Sequence, residues 1–172
     1  WWNTRNTKAY LFNPSDLSQE PQILADRNYQ DQYSNPGNFV LTKNELGRSV
    51  LAMDGDKVSL LGPGYTPEGQ FPFLDEMDLK SGKKKRLYQS SYTDKMESLV
   101  GYDMKKKRIL TSIEGQKEFP NLYFRDWKRD QLTQLTNFQN PFKVLEDVHK
   151  EVITYKREDG LELSGTLYLP VG

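Results

Sequence analysis

The stretch at residues 98–136 is SLVGYDMKKKRILTSIEGQKEFPNLYFRDWKRDQLTQLT, and it carries the clearest structural signal in the chain. Short apolar or alternating runs are separated by polar turns, which is the pattern of β-strands rather than of helices. The pattern predicts four strands, at 98–103, 108–113, 121–126 and 131–136. Strands that follow one another at a spacing of roughly 8–12 residues are typical of antiparallel all-β folds.

The last hairpin of this stretch recurs upstream. Its form is an aromatic or apolar strand, an Asp or Asn, a polar turn, and a second strand that bears Leu. Asn13, Asp78 and Asp126 hold the same place in the three copies. A four-stranded unit that repeats every 40–50 residues or so is typical of a β-propeller blade. We therefore predict an all-β fold, a partial β-propeller of about two and a half four-stranded antiparallel blades followed by a β-hairpin.

The repeat divides the first part of the chain into three pieces. A trailing hairpin is predicted at 7–25, a blade at 38–90 and a regular blade at 97–136, and the second piece carries an insertion, rich in Gly and Pro, at 54–72. Propellers cover the faces of their sheets by closing a ring of roughly 4–8 blades. Two and a half blades cannot close, so we expect uncovered outer faces and a chain that is not a complete protein.

Composition excludes several classes of function. The 172 residues include 24 basic and 24 acidic side chains, one His and no Cys. A net charge of zero gives no reason to expect a nucleic-acid or acidic-membrane partner, and the lack of Cys excludes disulfides and thiol chemistry. No apolar run approaches the roughly 20 residues of a transmembrane helix. The mean hydropathy of −0.81 is low, but 3 Trp, 10 Tyr and 8 Phe argue against disorder.

The character of the sequence changes after Thr136. Residues 137–150 contain Pro141 and are predicted to form a linker. Residues 151–172 are predicted to form a hairpin around Asp159-Gly160, which Pro170 ends. Asp-Gly between alternating strands is a strong hairpin signal because both turn positions tolerate a positive φ. The predicted organisation is thus blades at 1–136, a linker at 137–150 and a separate hairpin at 151–172.

This junction resembles a known family of enzymes. The residues that carry the likeness are Leu135-Thr136-Asn137-Phe138, Asn140-Pro141-Phe142, the run KEVITYKREDG at 150–160, and Thr166-Leu167-Tyr168-Leu169-Pro170. Together they resemble the passage from the β-propeller into the α/β-hydrolase domain of prolyl-oligopeptidase-type serine peptidases, in the glutamyl-endopeptidase and dipeptidyl-peptidase-like branch. The likeness is good over 121–170 and moderate for the blades upstream.

The resemblance implies that this chain is a non-catalytic propeller fragment of a peptidase that hydrolyses peptide bonds in oligopeptides. In that family the propeller restricts access to the active site, and the nucleophilic Ser lies on a G-x-S-x-G turn beyond the hairpin, followed by Asp and His. No Ser of this sequence lies between the required glycines, so we expect no catalytic residue in the chain, no cofactor site, no metal site and no hydrolysis by the chain itself. The expected partners are peptide substrates and, at the open blade edges, the rest of a longer protein or a second copy. Bacterial members of the family are often exported, but this segment carries no targeting signal.

Three single features invite a functional interpretation, and each has a simpler one. His149 is without a second His or a Cys and is interpreted as a linker residue rather than a base or metal ligand. Asp54-Gly55-Asp56 is predicted to form a tight turn, because the distal Glu of a calcium loop is missing. The Gly-rich run at 62–69 lacks the Gly-Lys-Ser/Thr ending of a phosphate loop and is predicted to be a loop between strands. Its functional alternative is a loop that reaches the propeller tunnel or the peptidase domain.

The charged residues are interpreted in the same way. The runs KKKR at 83–86 and at 105–108 are predicted to be solvated hairpin tips rather than a nucleic-acid patch, since acidic residues cancel them in the total charge. Four carboxylates could in principle form an acid–base pair, namely Asp94, Glu97, Glu114 and Glu118. Nothing in the sequence brings any two of them to the 5–10 Å or so that such a pair needs.

Two rival interpretations remain. The first is a non-catalytic β-propeller binding or scaffold module, which needs further blades upstream and no hydrolase domain downstream. The WD dipeptide of the commonest such modules is absent from the sequence. The second is a small self-standing β protein that covers its open faces by dimerising.

Overall fold

The computed structural model describes residues 3–169, and these fold almost entirely into antiparallel β-strands joined by turns. Pro170, predicted to end the last hairpin, lies outside the described residues. The strands are β1 Asn6–Leu11, β2 Gln22–Asn28, β3 Asn38–Phe39, β4 Leu41–Lys43, β5 Ser49–Leu51, β6 Met53–Asp54, β7 Lys57–Gly62, β8 Tyr65–Thr66, β9 Gly69–Gln70, β10 Phe73–Asp78, β11 Lys84–Gln89, β12 Lys95–Asp103, β13 Arg108–Gly115, β14 Asn121–Asp126, β15 Gln131–Gln134, β16 His149–Lys156 and β17 Glu162–Leu169. The predicted all-β class is confirmed. Within residues 3–169 no helix has the length and apolar character needed to cross a membrane.

The four strands predicted at 98–136 form one sheet in the order β12-β13-β14-β15. Each strand pairs antiparallel with the next, and the β12–β13 ladder shifts register between Leu99 and Gly101. The strand bounds differ by a few residues from the prediction, since β12 already begins at Lys95 and β13 continues to Gly115. We call this four-stranded meander the third sheet.

The second sheet has the order β11-β10-β7-β3. The edge position beside β7 is shared by two short strands, β3 and β6. Phe39 lies opposite Leu60 in the β3–β7 ladder, and Met53 lies opposite Val58 in the β6–β7 ladder. The backbone N–H of Val40 also donates to the Ser59 carbonyl, at 2.9 Å. The edge of β7 is therefore covered first by 38–40 and then by 53–54, and the residues between leave the sheet as the hairpin β4–β5.

This arrangement corrects the position of the predicted insertion. We expected an insertion at 54–72, but the first part of that range is β7, a central strand whose Val58 and Leu60 are buried. The main excursion is instead 41–52, and a small hairpin, β8–β9, follows β7. The apolar run of β7 was obscured because Gly55 precedes it and Gly62-Pro63-Gly64 follows directly.

The hairpin β1–β2 and the second and third sheets are stacked face to face. Buried residues on one face of the second sheet, among them Leu60 and Met77, pack against Leu11 and Leu24 of the hairpin. On its other face Leu74 packs with residues of the third sheet. The buried residues of this second cluster are Leu74, Tyr102 and Ile109, and the partly buried residues around them are Val40, Leu61, Leu87, Tyr88, Leu99, Met104 and Trp127. The period-two alternation of strands supplies both faces of the middle sheet.

The recurring Asp or Asn has a structural cause. Asn13 Oδ1 accepts the backbone N–H of Ser15, at 3.0 Å, and Asp126 Oδ1 accepts that of Lys128, at 3.1 Å. Asp78 does the same for Ser81, at 2.8 Å. In each copy the side chain begins the turn by satisfying a backbone donor, which is the reason that these two residue types favour turns.

The final hairpin, β16–β17, is paired over its whole length from His149–Leu169 to Lys156–Glu162. Its turn is a three-residue loop at 158–160, in which Gly160 alone takes a positive φ, of 84°. Asp159 and Gly160 thus lie in the turn of the hairpin, as the sequence predicts, but Asp159 keeps a negative φ because a Gly at the end of the loop reverses the chain by itself. The preceding segment contains a single 3-10 turn, Lys143–Leu145, and β16 begins at His149, inside the predicted linker.

Candidate functional site

The loops of the second and third sheets lie at two opposite ends of the strands. The turns at 55–56, 79–83, 104–107 and 127–130 each join antiparallel neighbours, and we call their side the far end. Lys80 Nζ lies 2.6 Å from Asp56, and Lys107 Nζ lies 3.5 Å from Asp54, so three of these turns are tied together.

The opposite side, which we call the exit end, carries the loops 63–72, 90–94 and 116–120 and the segment 135–148 that leads to the last hairpin. Lys117 Nζ lies 3.3 Å from Asp147, which joins the last of these loops to the departing segment.

Asn121 fixes the chain where it leaves the third sheet. Its Oδ1 accepts the backbone N–H of Phe138, at 2.6 Å, and the hydroxyl of Thr136, at 2.9 Å. Its Nδ2 donates to the carbonyls of Phe119 and Phe138. The side chain is buried, so all of its hydrogen-bonding groups are used to hold the start of the linker against the exit end.

The single features from the sequence are found apart from one another. His149 is exposed at the start of β16, with Nε2 3.4 Å from Glu151. Gly55 takes a φ of 62° in the turn between β6 and β7, as predicted, and the flanking Asp54 and Asp56 face lysines. No cluster of three His, Cys, Asp or Glu side chains that could hold a metal occurs within residues 3–169.

The Gly-rich run at 62–69 lies at the exit end between β7 and β10, and it contains most of the small hairpin β8–β9 where a loop was predicted. Gly64 has a φ of 65°, and a Cβ there would lie 1.8 Å from the Phe71 carbonyl oxygen, so only glycine fits. The loop meets the segment 30–33 in an open groove of about 520 Å³, whose lining includes Tyr33 and Tyr65. Its lining also includes Asp31, whose Oδ1 accepts the backbone N–H of Tyr33 at 3.0 Å, and Thr66, whose hydroxyl donates to the Gly69 carbonyl at 3.1 Å.

The two lysine-rich runs behave differently from each other. Lys105 and Lys106 lie in the turn between β12 and β13, as predicted for a solvated tip, whereas Arg108 of the same run is the first residue of β13. The other prediction holds only for Lys83, because β11 already begins at Lys84. Within β11, Arg86 pairs with Asp75 at 2.5 Å and covers the Phe73 ring at 3.7 Å, so it is part of the sheet surface.

Among the four candidate carboxylates, Glu97 is the one that is buried. It is 1% exposed and pairs with Arg125 of β14, whose Nε lies 3.0 Å from Glu97 Oε1. The Tyr88 hydroxyl of the second sheet donates to Glu97 Oε2 at 2.6 Å, and the Thr111 hydroxyl lies 3.0 Å from Oε1. Arg125 in turn donates to the hydroxyl of Tyr92, at 3.0 Å. We call these five residues the buried charge cluster.

The cluster joins the second and third sheets. Burial, together with the hydrogen bond to Glu97, raises the pKa of Tyr88, so its hydroxyl stays protonated and acts as a donor. Burial alone would lower the pKa of Arg125, but the charge of Glu97 and the hydrogen bond that Arg125 donates to the Tyr92 hydroxyl raise it. Every group therefore has a complementary partner, and the arrangement is suited to holding sheets together rather than to moving a proton.

Sequence reasoning missed this cluster, although one signal was available. In β12 the apolar Met96 is exposed while Glu97 points inward, so the usual alternation is reversed at this point. A charged residue at an inward position needs a buried partner, and Arg125 lies at a buried position of β14. Of the other carboxylates, Glu118 pairs with Lys95 at 2.6 Å on the surface.

Comparison with known proteins gives relatives that align with the entire chain. The chain is 36% identical, over 186 aligned positions, to a protein of Oryza sativa subsp. japonica named "Probable glutamyl endopeptidase, chloroplastic". It is 35% identical, over 187 positions, to a protein of the same name from Arabidopsis thaliana. Both alignments cover 100% of this chain and 20% of the relative, so the chain spans about a fifth of the length of these curated relatives. The chain is thus related in sequence to proteins named as peptidases.

The other comparisons add little. No protein-family model matches the chain. A solved structure of the AtxE2 isopeptidase, a variant with Astexin3-dC4 bound, covers 96% of this chain and 24% of its own at 15% identity. The TM-score is 0.40, a likeness too low to establish a shared fold.

Proposed function

We propose that this chain is the propeller part of a longer serine peptidase, running from the last blades into the first hairpin of the peptidase domain. The observation that carries the proposal is that the whole of this chain is similar to about a fifth of proteins named glutamyl endopeptidase. In this proposal 1–136 are blades, 137–150 are a linker and 151–172 begin the peptidase domain. The chain itself contributes no catalytic residue and limits which peptides reach the active site.

The stacking of the sheets supports the proposal. The second sheet, whose four strand positions are filled by five strands, and the four-stranded third sheet follow one another in the chain with the same turn chemistry, and a two-stranded hairpin precedes them. Face-to-face packing of consecutive meanders is the way in which propeller blades bury their apolar faces. The buried charge cluster fixes the position of one sheet on the next through Tyr88 and Glu97.

Apolar side chains left at the surface also support it. Tyr10 and Ile23 on the outer hairpin are 53% and 52% exposed, and Leu135 after the third sheet is 44% exposed. In β16–β17, Val152 is 73% and Tyr168 is 60% exposed. A two-stranded ribbon is marginal in water, so we propose that the rest of the same polypeptide covers these groups, as further blades and as the peptidase domain.

The names of the relatives suggest a substrate class for the longer protein. Both are called glutamyl endopeptidases, which implies cleavage within peptides that contain glutamyl residues. We therefore propose oligopeptides with glutamate side chains as substrates. The residues that recognise glutamate at the bond to be cleaved belong, in this proposal, to the peptidase domain and not to these blades.

One experiment tests both parts of the proposal. The complete gene product that contains residues 1–172 is expressed, and hydrolysis of a Glu-containing peptide is measured beside a matched Gln-containing peptide, with and without a serine-directed fluorophosphonate. We expect inhibitor-sensitive cleavage that prefers the Glu peptide, and no cleavage by the 172-residue chain. A gene product with no peptidase domain and no cleavage would contradict the proposal and would favour a non-catalytic binding module.

A further inference from the structure

The two ends of the sheets carry opposite charge. The four far-end turns hold seven basic and two acidic residues, a net charge of +5. The basic residues are Lys80, Lys83, Lys105, Lys106, Lys107, Lys128 and Arg129. If the strand residues that flank each turn are included, the net charge is still +4. The chain as a whole is neutral, so this charge is local.

The exit end has the opposite sign. Its loops at 63–72, 90–94 and 116–120, together with the segment 135–148, hold two basic and five acidic residues, a net charge of −3. The strands that separate the two ends, such as β13 with its eight residues, are roughly 25 Å long. Since this length exceeds the Debye length of about 8 Å at physiological salt, the two ends act as separate surfaces.

Several of the far-end lysines have no ion-pair partner within residues 3–169. Lys80 and Lys107 face Asp56 and Asp54, whereas Lys83, Lys105 and Lys106 are exposed and face no carboxylate. The nearby aspartates do not neutralise them by contact.

Asp103 is an example. Its carboxylate accepts the backbone N–H groups of Lys105 and Lys106, both at 3.0 Å, rather than their ammonium groups. The turns at 104–107 and 127–130 are two strand spacings apart, about 10 Å, so one short peptide can contact both.

The backbone of the turn at 104–107 is strained at Lys107. Its φ is 53°, in the left-handed region that Gly or Asn adopts at lower cost. The turn nevertheless carries three consecutive lysines.

We infer that the far end of the second and third sheets is a docking surface for short acidic peptides. Carboxylate side chains complement the exposed lysines, and a short peptide contacts this end without meeting the acidic exit end. A long polyanion such as a nucleic acid extends past the sheets and meets repulsion there. The chemistry of the surface follows from the structure alone, and only its use in attracting glutamate-rich substrates rests on the proposed function.

The test measures binding and not turnover, so its failure is distinguishable from a failure of the proposed function. A fluorescein-labelled peptide of about eight residues, rich in Glu, is titrated with the 172-residue chain and with the complete gene product, in about 20 mM and about 300 mM salt. A peptide with Gln in place of Glu is the ligand control. In a background with Trp1→Phe and Trp2→Phe, the fluorescence of Trp127, which lies in a far-end turn, reports where the peptide binds.

The key variant is Lys83→Gln with Lys105→Gln and Lys106→Gln. Its charge-matched control is Lys43→Gln with Lys117→Gln and Lys143→Gln, none of which is in a far-end turn. We expect the key variant to weaken low-salt binding about tenfold and the control to change it less than about twofold, with equal urea midpoints for both. Equal binding of the Gln peptide, equal loss in both variants, no response of Trp127, or tighter binding of an oligothymidylate of similar length would overturn the inference.

Discussion

Replacing Arg125 with Ala is the perturbation whose effect the structure specifies most closely. The Arg125 side chain is 5% exposed and the Glu97 side chain is 0% exposed, so the variant leaves a carboxylate buried without its cation. The Tyr88 and Thr111 hydroxyls still contact Glu97, but neither carries a compensating charge. The variant also removes the guanidinium group that donates a hydrogen bond to the hydroxyl of Tyr92, in the loop 90–94.

The magnitude follows from what remains buried. Breaking a buried ion pair by removing one partner costs about 3–5 kcal/mol, because the remaining charge is left uncompensated. For a chain of this size, 1 kcal/mol corresponds to roughly 2–4 °C in melting temperature, so we expect a loss of about 10 °C. A loss of this size is a large part of the 5–15 kcal/mol or so by which a typical domain is stable.

The assay is urea and thermal unfolding, followed by circular dichroism, of the chain and of the complete gene product. Arg129→Ala is the matched control, because Arg129 is in the neighbouring turn, 79% exposed, and 3.9 Å from Asp126. A surface pair of this kind contributes less than about 1 kcal/mol. The double variant Glu97→Leu with Arg125→Met removes both charges and is expected to regain most of the lost stability.

The reasoning about the buried charge cluster is refuted by either of two results. One is an Arg125→Ala protein that unfolds within about 1 kcal/mol of the Arg129→Ala control. The other is a double variant that is as unstable as Arg125→Ala, since the cost would then come from lost packing and not from the unpaired charge.

Three further outcomes are expected. Gly37→Ala is predicted to destabilise the chain by about 2 kcal/mol more than Gly47→Ala in urea unfolding. Both glycines have a positive φ, but a Cβ at Gly37 would lie 2.3 Å from the Leu61 carbonyl oxygen, whereas a Cβ at Gly47 would have no atom within 4 Å. Similar losses in the two variants would contradict the contact. Asn121→Ala is predicted to speed hydrogen exchange at the Phe138 amide at least tenfold, while the exposed Asn137→Ala leaves it unchanged, and slow exchange in both would show that another group holds the linker. The hydrogen bonds from the backbone N–H of Lys106 and Lys105 lower the pKa of Asp103 below its ordinary 3.8, so its contribution to stability is complete above that value and is lost as the pH falls through the folded-state pKa. The urea midpoint of Asp103→Asn should therefore fall less than that of the original chain between about pH 6 and pH 2, and equal falls would contradict this assignment.

The parts of the fold that the sequence predicted are those with local causes. The strands at 98–136 and the turns after Asn13, Asp78 and Asp126 depend on alternation and on side-chain hydrogen bonds within a few residues. These features are encoded in short windows of sequence, and they were found.

The features that were missed depend on residues far apart in the chain. Strand β7 is flanked by Gly and Pro and becomes recognisable only through its pairing with β10. Residues 41–52 separate the two segments that pair with β7, and β7 itself comes later in the chain. No short window of sequence therefore shows that Val40 and Met53 both lie beside β7. The pair Glu97 and Arg125, 28 residues apart, likewise meets only once the sheet forms.

The most direct test of the central claim, that these sheets are blades of a propeller joined to a peptidase domain, is an electron cryomicroscopy structure of the complete gene product. We predict a closed ring in which other strands of the same polypeptide pair with the free edge of β1 and cover the third sheet, with β16–β17 packed inside an α/β-hydrolase domain. A structure in which these edges stay bare, or in which β16–β17 belongs to no further domain, would contradict the account.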